Sequence, residues 1–212
     1  MLFKAGPLLM TGLSVAIAFK TGLFNIGAPG QYLMGAMASI LVALSIPVPN
    51  KFVGFLVWLL ALMVGALAGM LWGAIPGAFK AFLGVNEVIV CIMSNWVAAN
   101  LVSWVFDGSR FINTSNGKSA YLIPAGSGGA STPKLGLDKI FRGSNIDIGI
   151  LLATAIAVLI YIVMNKTTFG YELKACGYNR HAAKYAGMNE KRNILLSMMI
   201  AGALAGIGAS LY

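Results

Sequence analysis

Long uncharged apolar blocks alternate with short polar breaks along this chain, and crossing a bilayer takes about 20 apolar residues. Residues 5–19 carry no charge and lie between Lys4 and Lys20, which predicts a short span. Residues 21–50 are also uncharged but are broken early by GLFNIGAPGQ. The helix is expected to resume over 32–46 and to stop at Pro47 and Pro49. The clearest span is 52–75, ended by Pro76 and Gly77 with Lys80 marking the turn. Further spans follow over 85–106, 148–164 and 194–211. The pattern predicts an all-α, polytopic transmembrane helical bundle with a broken helix: one domain over 1–212 with six hydrophobic segments.

Three features stand out inside the blocks. Gly65, Gly69 and Gly73 recur at every fourth position, the small-residue spacing that lets helix backbones approach closely. At the break, Gly22, Gly27, Pro29 and Gly30 interrupt the helix, and Asn25 and Gln31 bring polar groups to it. The break reads either as a cytoplasmic turn or as an unwound point inside the bilayer. Irregular backbone at membrane depth is tolerated only where it is buried in protein or lines a cavity, and transporters often bind cargo at broken helices. Asn25, Gly27, Gly30 and Gln31 are therefore candidate pathway residues. The third feature is a weakly polar stripe of Glu87, Cys91, Ser94, Asn95 and Ala98 on one helix face, flanked by Asn86 and Asn100. Glu87, Ser94 and Asn95 join the pathway candidates, with anchoring in the first turn as the other reading of Glu87.

Two polar stretches are too long to be tight turns. Residues 107–147 are rich in Gly, Ser, Thr and Pro and include GSGGAS. Residues 166–193 hold an element with its own boundaries: Asn179 as N-cap, a helix over 180–186, Gly187 as C-cap and Asn189 as a second cap. Residues 166–193 contain six Lys or Arg, against five Lys or Arg and three Asp in the longer 107–147. By the positive-inside rule the capped loop is cytoplasmic and 107–147 is extracellular.

Composition agrees: 58% of the residues are hydrophobic, only 10% are charged, and mean hydropathy is +0.83, too few polar groups to cover a globule in water. The net charge of +9 comes from basic residues scattered singly or in loops, a pattern of membrane-surface charge rather than nucleic-acid binding. Cys91 and Cys176 lie at different depths, which argues against a disulfide. His181 is the only histidine, so no metal site is expected. The first apolar block is followed by more membrane, unlike a cleavable signal peptide. No span has a charge near its centre for ion coupling, and no nucleophile–base pair lies in the membrane. Energy for any transport must then come from outside the spans, and the capped loop is the lever through which it could act.

TGLFNIGAPGQYLMGA over 21–36, GVNEVIVCIMSNWVAANL over 84–101, and FGYELKACGYNRHAAKYAGMNEKRN over 169–193 followed by IAGALAGIGAS resemble permease subunits of bacterial ABC importers. That group includes branched-chain amino acid, ribose and nucleoside permeases, and the nucleoside or simple-sugar branch is most similar. The resemblance implies a multi-pass protein of the bacterial plasma membrane that is not itself an enzyme. It further implies a second permease subunit, ABC ATPase subunits that bind the ATP, and an extracellular substrate-binding lipoprotein. It makes 166–193 a coupling loop in which Glu172, Lys174, Gly177, Asn179, Ala182, Ala183, Tyr185 and Gly187 face or shape the ATPase contact. Permeases of this kind have more membrane sequence at both ends, so the chain is expected to be part of a longer one. Other readings are a branched-chain amino acid permease, an ion-coupled carrier or channel, and a purely structural membrane subunit.

Overall fold

The computed structural model describes residues 2–107, 109, 111 and 148–212. Among these the elements are α1 (Leu2–Lys20), α2 (Ala28–Ser45), α3 (Lys51–Leu83), α4 (Glu87–Phe106), α5 (Gly149–Lys166), α6 (Thr168–Tyr178), α7 (Arg180–Tyr185) and α8 (Glu190–Ser210). Five of them, α2, α3, α4, α5 and α8, are long and apolar enough to cross a membrane. The sixth expected segment, α1, is a 19-residue helix that packs between α5 and α8. The expected extracellular stretch 107–147 lies outside the described residues apart from positions 107, 109 and 111.

Two of the helix boundaries that differ from the sequence expectation lie at prolines. α2 starts at Ala28, before residue 32, because Pro29 falls in its first turn, where a missing N–H costs nothing and a fixed φ suits the helix. α3 does not stop at Pro76. It runs on to Leu83 and ends at Gly84, whose φ of 68° is the left-handed cap conformation. Pro76 and Gly77 are both buried, and a Cβ on Gly77 would already touch Met198. Packing against α8 therefore holds the helix together across the proline. At 33 residues α3 is about 50 Å long, more than the roughly 30 Å hydrocarbon core.

α8 is the centre of the bundle and packs against α1, α2 and α3. Gly65, Gly69 and Gly73 of α3 are buried on its surface. A Cβ added at Gly69 would collide with the Gly202 carbonyl, one at Gly202 with the Gly69 carbonyl, and one at Gly206 with the Gly65 carbonyl. Gly35 of α2 also meets Gly206, with Gly65 next to it. The three helices thus touch backbone to backbone, the arrangement that drives association in lipid, where the hydrophobic effect between helices is absent. Near the end of this seam Ser39 Oγ sits 2.6 Å from Ser210 Oγ and donates to the Ala61 carbonyl at 3.1 Å, a polar tie among α2, α3 and α8. Met10 and Ile17 of α1, Ala153 of α5 and Leu204 of α8 form the apolar cluster that seats the N-terminal helix.

The connections gather at two ends. The α1–α2 break, the α3–α4 turn and the α5–α8 connection share one end, since Gly22 abuts Gly177 and Lys80 shares a cleft with Arg180, Glu190 and Lys191.

Gly69→Ala is expected to cost about 1–3 kcal/mol by forcing α3 from α8. Gly12→Ala, whose Cβ would meet nothing within 4 Å, is the matched control. Thermal unfolding in detergent should separate the two variants by several degrees, and equal midpoints would refute the seam.

Candidate functional site

Two residues after α1 the chain turns at Gly22, φ 69°, and the Leu23 N–H turns back to the Ala18 carbonyl at 2.9 Å. Residues 21–27 are non-helical, yet Thr21, Leu23, Asn25 and Gly27 are buried, so their polar groups need partners inside the protein. Those partners are amide side chains. Asn25 and Gln31 hold each other by two bonds, Asn25 Nδ2 donating to Gln31 Oε1 at 3.0 Å and Gln31 Nε2 donating to Asn25 Oδ1 at 3.2 Å. Asn25 Oδ1 also accepts the Gly27 N–H at 3.1 Å. From α4, Asn95 Oδ1 accepts the Gly30 N–H and Asn95 Nδ2 donates to the Ile26 carbonyl, both at 2.9 Å. Asn95 thereby caps the start of α2 from another helix, because no side chain at Gly27 can do so. This approach needs glycine: a Cβ on Gly30 would lie 2.6 Å from Asn95 Oδ1.

The structure therefore brings Asn25, Gly27, Gly30, Gln31 and Asn95 into one closed polar knot, with Asn25 and Gln31 only 3% and 1% exposed. Cys91 and Ser94 share the buried face of α4, as the stripe anticipates, but Ser94 donates to the Cys91 carbonyl of its own helix. Glu87 shares that buried face, yet it pairs with Lys80 Nζ at 2.7 Å and staples the α3–α4 turn, while Asn86 caps α4 by accepting the Val88 N–H. Thr21 and Ser197, bonded at 2.8 Å between the break and α8, were missed, because single hydroxyls in apolar blocks carry no distinctive spacing. Trp72 was missed as well: among the described residues its buried indole N–H has no hydrogen-bond partner, and it lies beside Gly30.

The polar connection 166–193 contains two helices where one was expected. The additional helix is α6, started by Thr167, whose Oγ1 accepts the Gly170 N–H at 3.2 Å. Gly170 lies on the backbone of Val163 and Met164, Leu173 and Cys176 are fully buried, and Asn193 Nδ2 donates to Glu172 Oε2 at 3.2 Å. Lys174 Nζ donates to Asn165 Oδ1 at 2.6 Å. Gly177 then rests on the Lys20 carbonyl and on Gly22. Asn179 caps α7 by accepting the Ala182 N–H at 3.1 Å, Gly187 takes φ 83° after it, and Asn189 caps α8. Of the coupling candidates, Asn179, Ala182, Tyr185 and Gly187 face outward, Ala183 is buried, and Glu172, Lys174 and Gly177 are half-buried. Tyr178 and Tyr185 are 89% and 94% exposed, a bare aromatic surface on a folded element. Beside it a cleft of about 480 Å³ is lined by Lys80, Phe82, Arg180, Glu190 and Lys191.

Residues 1–212 match the family described as branched-chain amino acid transport system / permease component. The chain is 39% identical over 205 residues to the guanosine ABC transporter permease protein NupP of Bacillus subtilis, covering 97% of this chain and 56% of that protein. It is 37% identical over 212 residues to the nucleoside ABC transporter permease protein NupB of Lactococcus lactis, covering 98% and 56%. It is also 36% identical over 213 residues to the glucose ABC transporter permease protein TsgB13 of Haloferax volcanii, covering 98% and 54%. The chain thus spans about half the length of these curated relatives. No solved structure matches it.

Replacing Asn95 by Leu orphans the part-buried Gly30 N–H and Ile26 carbonyl, at up to about 1 kcal/mol for each group. Hydrogen exchange at 26–31 should quicken in this variant. Asn100→Leu removes only a bond to the Trp96 carbonyl of its own helix and should leave that segment protected. Unchanged exchange in Asn95→Leu would contradict the cap.

Proposed function

Because the chain belongs to the branched-chain amino acid transport system permease component family, we propose that it builds the membrane-spanning permease of an ATP-driven importer of nucleosides or related simple sugars. It is a multi-pass membrane protein, and its site is the bacterial plasma membrane. The energy comes from ABC ATPase subunits that bind the ATP, so the chain itself needs no cofactor and catalyses nothing. A second permease subunit completes the pathway, and an extracellular lipoprotein delivers the substrate. The observation that carries this reading is the α6–α7 unit, a folded and capped element whose outer face is bare while its inner face rests on the α1–α2 break. A passive linker needs neither caps nor buried anchors.

The basic residues of 166–193 put α6 and α7 on the cytoplasmic side and 107–147 outside. Asn179, Ala182, Tyr185 and Gly187 then meet the ATPase, whereas Ala183, Gly177 and Glu172 set the geometry of that surface from behind. The polar knot of Asn25, Gln31 and Asn95 holds the broken helix in register beside the path. The relatives that transport guanosine and nucleosides favour a nucleoside, and the glucose permease keeps a sugar as the second reading.

Uptake by the complete permease, reconstituted with its ATPase and binding protein, should need ATP and follow labelled nucleoside in preference to glucose or leucine. Uptake driven by a proton or sodium gradient without ATP would refute the reading. Within that system, Ala182→Glu on the exposed face should reduce ATPase co-purification by roughly tenfold or more, since burying an unpaired charge at an interface costs several kcal/mol. Undiminished co-purification would move the docking surface elsewhere.

A further inference from the structure

We propose that Arg180 and Gly177 form the joint that transmits displacement of α7 to the α1–α2 break, with the Gly22 carbonyl as its receiving point. This deepens the importer reading and rests on it. Arg180 Nη2 donates to the Gly22 carbonyl at 3.1 Å, linking the first residue of α7 to the left-handed turn that ends α1. Three residues earlier, Gly177 presses on the Lys20 carbonyl, and a Cβ there would collide with it. The coupling unit thus touches the break at two points, by a charged hydrogen bond and by bare backbone.

The rest of the geometry gives the joint something to move. The Gly22 N–H is held by the Phe19 carbonyl at 3.0 Å and the Leu23 N–H by the Ala18 carbonyl at 2.9 Å, so the turn that receives the contact is a fixed part of the break. Beyond it the knot of Asn25, Gln31 and Asn95 ties the break to the start of α2 and to α4. A push at Gly22 therefore passes to two spans as one unit. Arg180 also lines the open cleft with Lys80, Glu190 and Lys191, so it stands where a docked partner reaches it. Its side chain donates to a backbone carbonyl of the break, although the carboxylate of Glu190 lines the same cleft.

The test uses the complete transporter and compares Arg180→Ala, Arg180→Lys and wild type by three readouts: bound ATPase, ATP hydrolysed, and substrate moved per ATP. Arg180→Ala should lower substrate moved per ATP about threefold or more, the size of effect that follows from losing one solvent-exposed charged hydrogen bond. Arg180→Lys, which can still donate to a carbonyl, should restore part of it. Hydrogen exchange at 21–27 should respond to nucleotide in wild type and not in Arg180→Ala. An unchanged ratio of substrate to ATP in Arg180→Ala overturns the joint. So does an uptake loss that only tracks lost ATPase or lost folded permease. A wild-type complex without ATP-dependent uptake overturns the importer reading itself, and this inference with it.

Discussion

Gly202 and Gly206 of α8 meet Gly65 and Gly69 of α3 with no side chain between them, and Gly35 of α2 closes on Gly206 at the same point. In a bilayer, where lipid tails are as apolar as leucine, such contact at short range is what holds helices together. The other features of the bundle hang on it. The seam fixes how far apart α2, α3 and α8 lie, which sets where Ser39 finds Ser210 and where Thr21 finds Ser197. It also keeps α3 continuous through Pro76, so that Lys80 arrives beside Glu87 to staple the next turn.

The second constraint is the satisfaction of backbone in the break. Seven residues between α1 and α2 are not helical, and much of that segment is buried, so its N–H and carbonyl groups must be paired within the protein. The sequence meets this with two asparagines and a glutamine from three places in the chain. Asn25 bonds locally, Gln31 reaches back from the first turn of α2, and Asn95 comes across from α4. The polar residues singled out as pathway candidates thus have a mutual role: they hold the broken helix shut in one geometry. That rigidity is what lets a contact at Gly22 matter at a distance.

The spans and α7 were legible because each follows from a local rule. Uncharged blocks of span length have few alternatives to helix, and Asn179, Gly187 and Asn189 mark boundaries by hydrogen-bonding or φ preferences that act within three residues. What was not legible depends on distant residues. Pro76 ends helices in isolation, but here α8 packs across it. TFGYELKACGY over α6 has two glycines and only a short apolar stripe of Phe169, Leu173 and Cys176, and that stripe is seated because Gly170 and Gly177 each lie on another segment's backbone. Asn95 reads as one member of a weakly polar stripe, and nothing near it announces that it caps α2. The bond from Arg180 to Gly22 joins two loops that no spacing rule connects.

The central claim is that α6, α7 and the α1–α2 break form one mechanical unit at the end of the bundle. Spin labels at the exposed positions Tyr178 and Phe24 report on that unit, and a label at exposed Phe52, at the start of α3, supplies a reference outside it. Dipolar distances measured in the complete transporter, with and without nucleotide, test the claim directly. The account predicts that the 24–178 distance stays constant while the 52–178 distance shifts. A 24–178 distance that changes with nucleotide while 52–178 holds would contradict it.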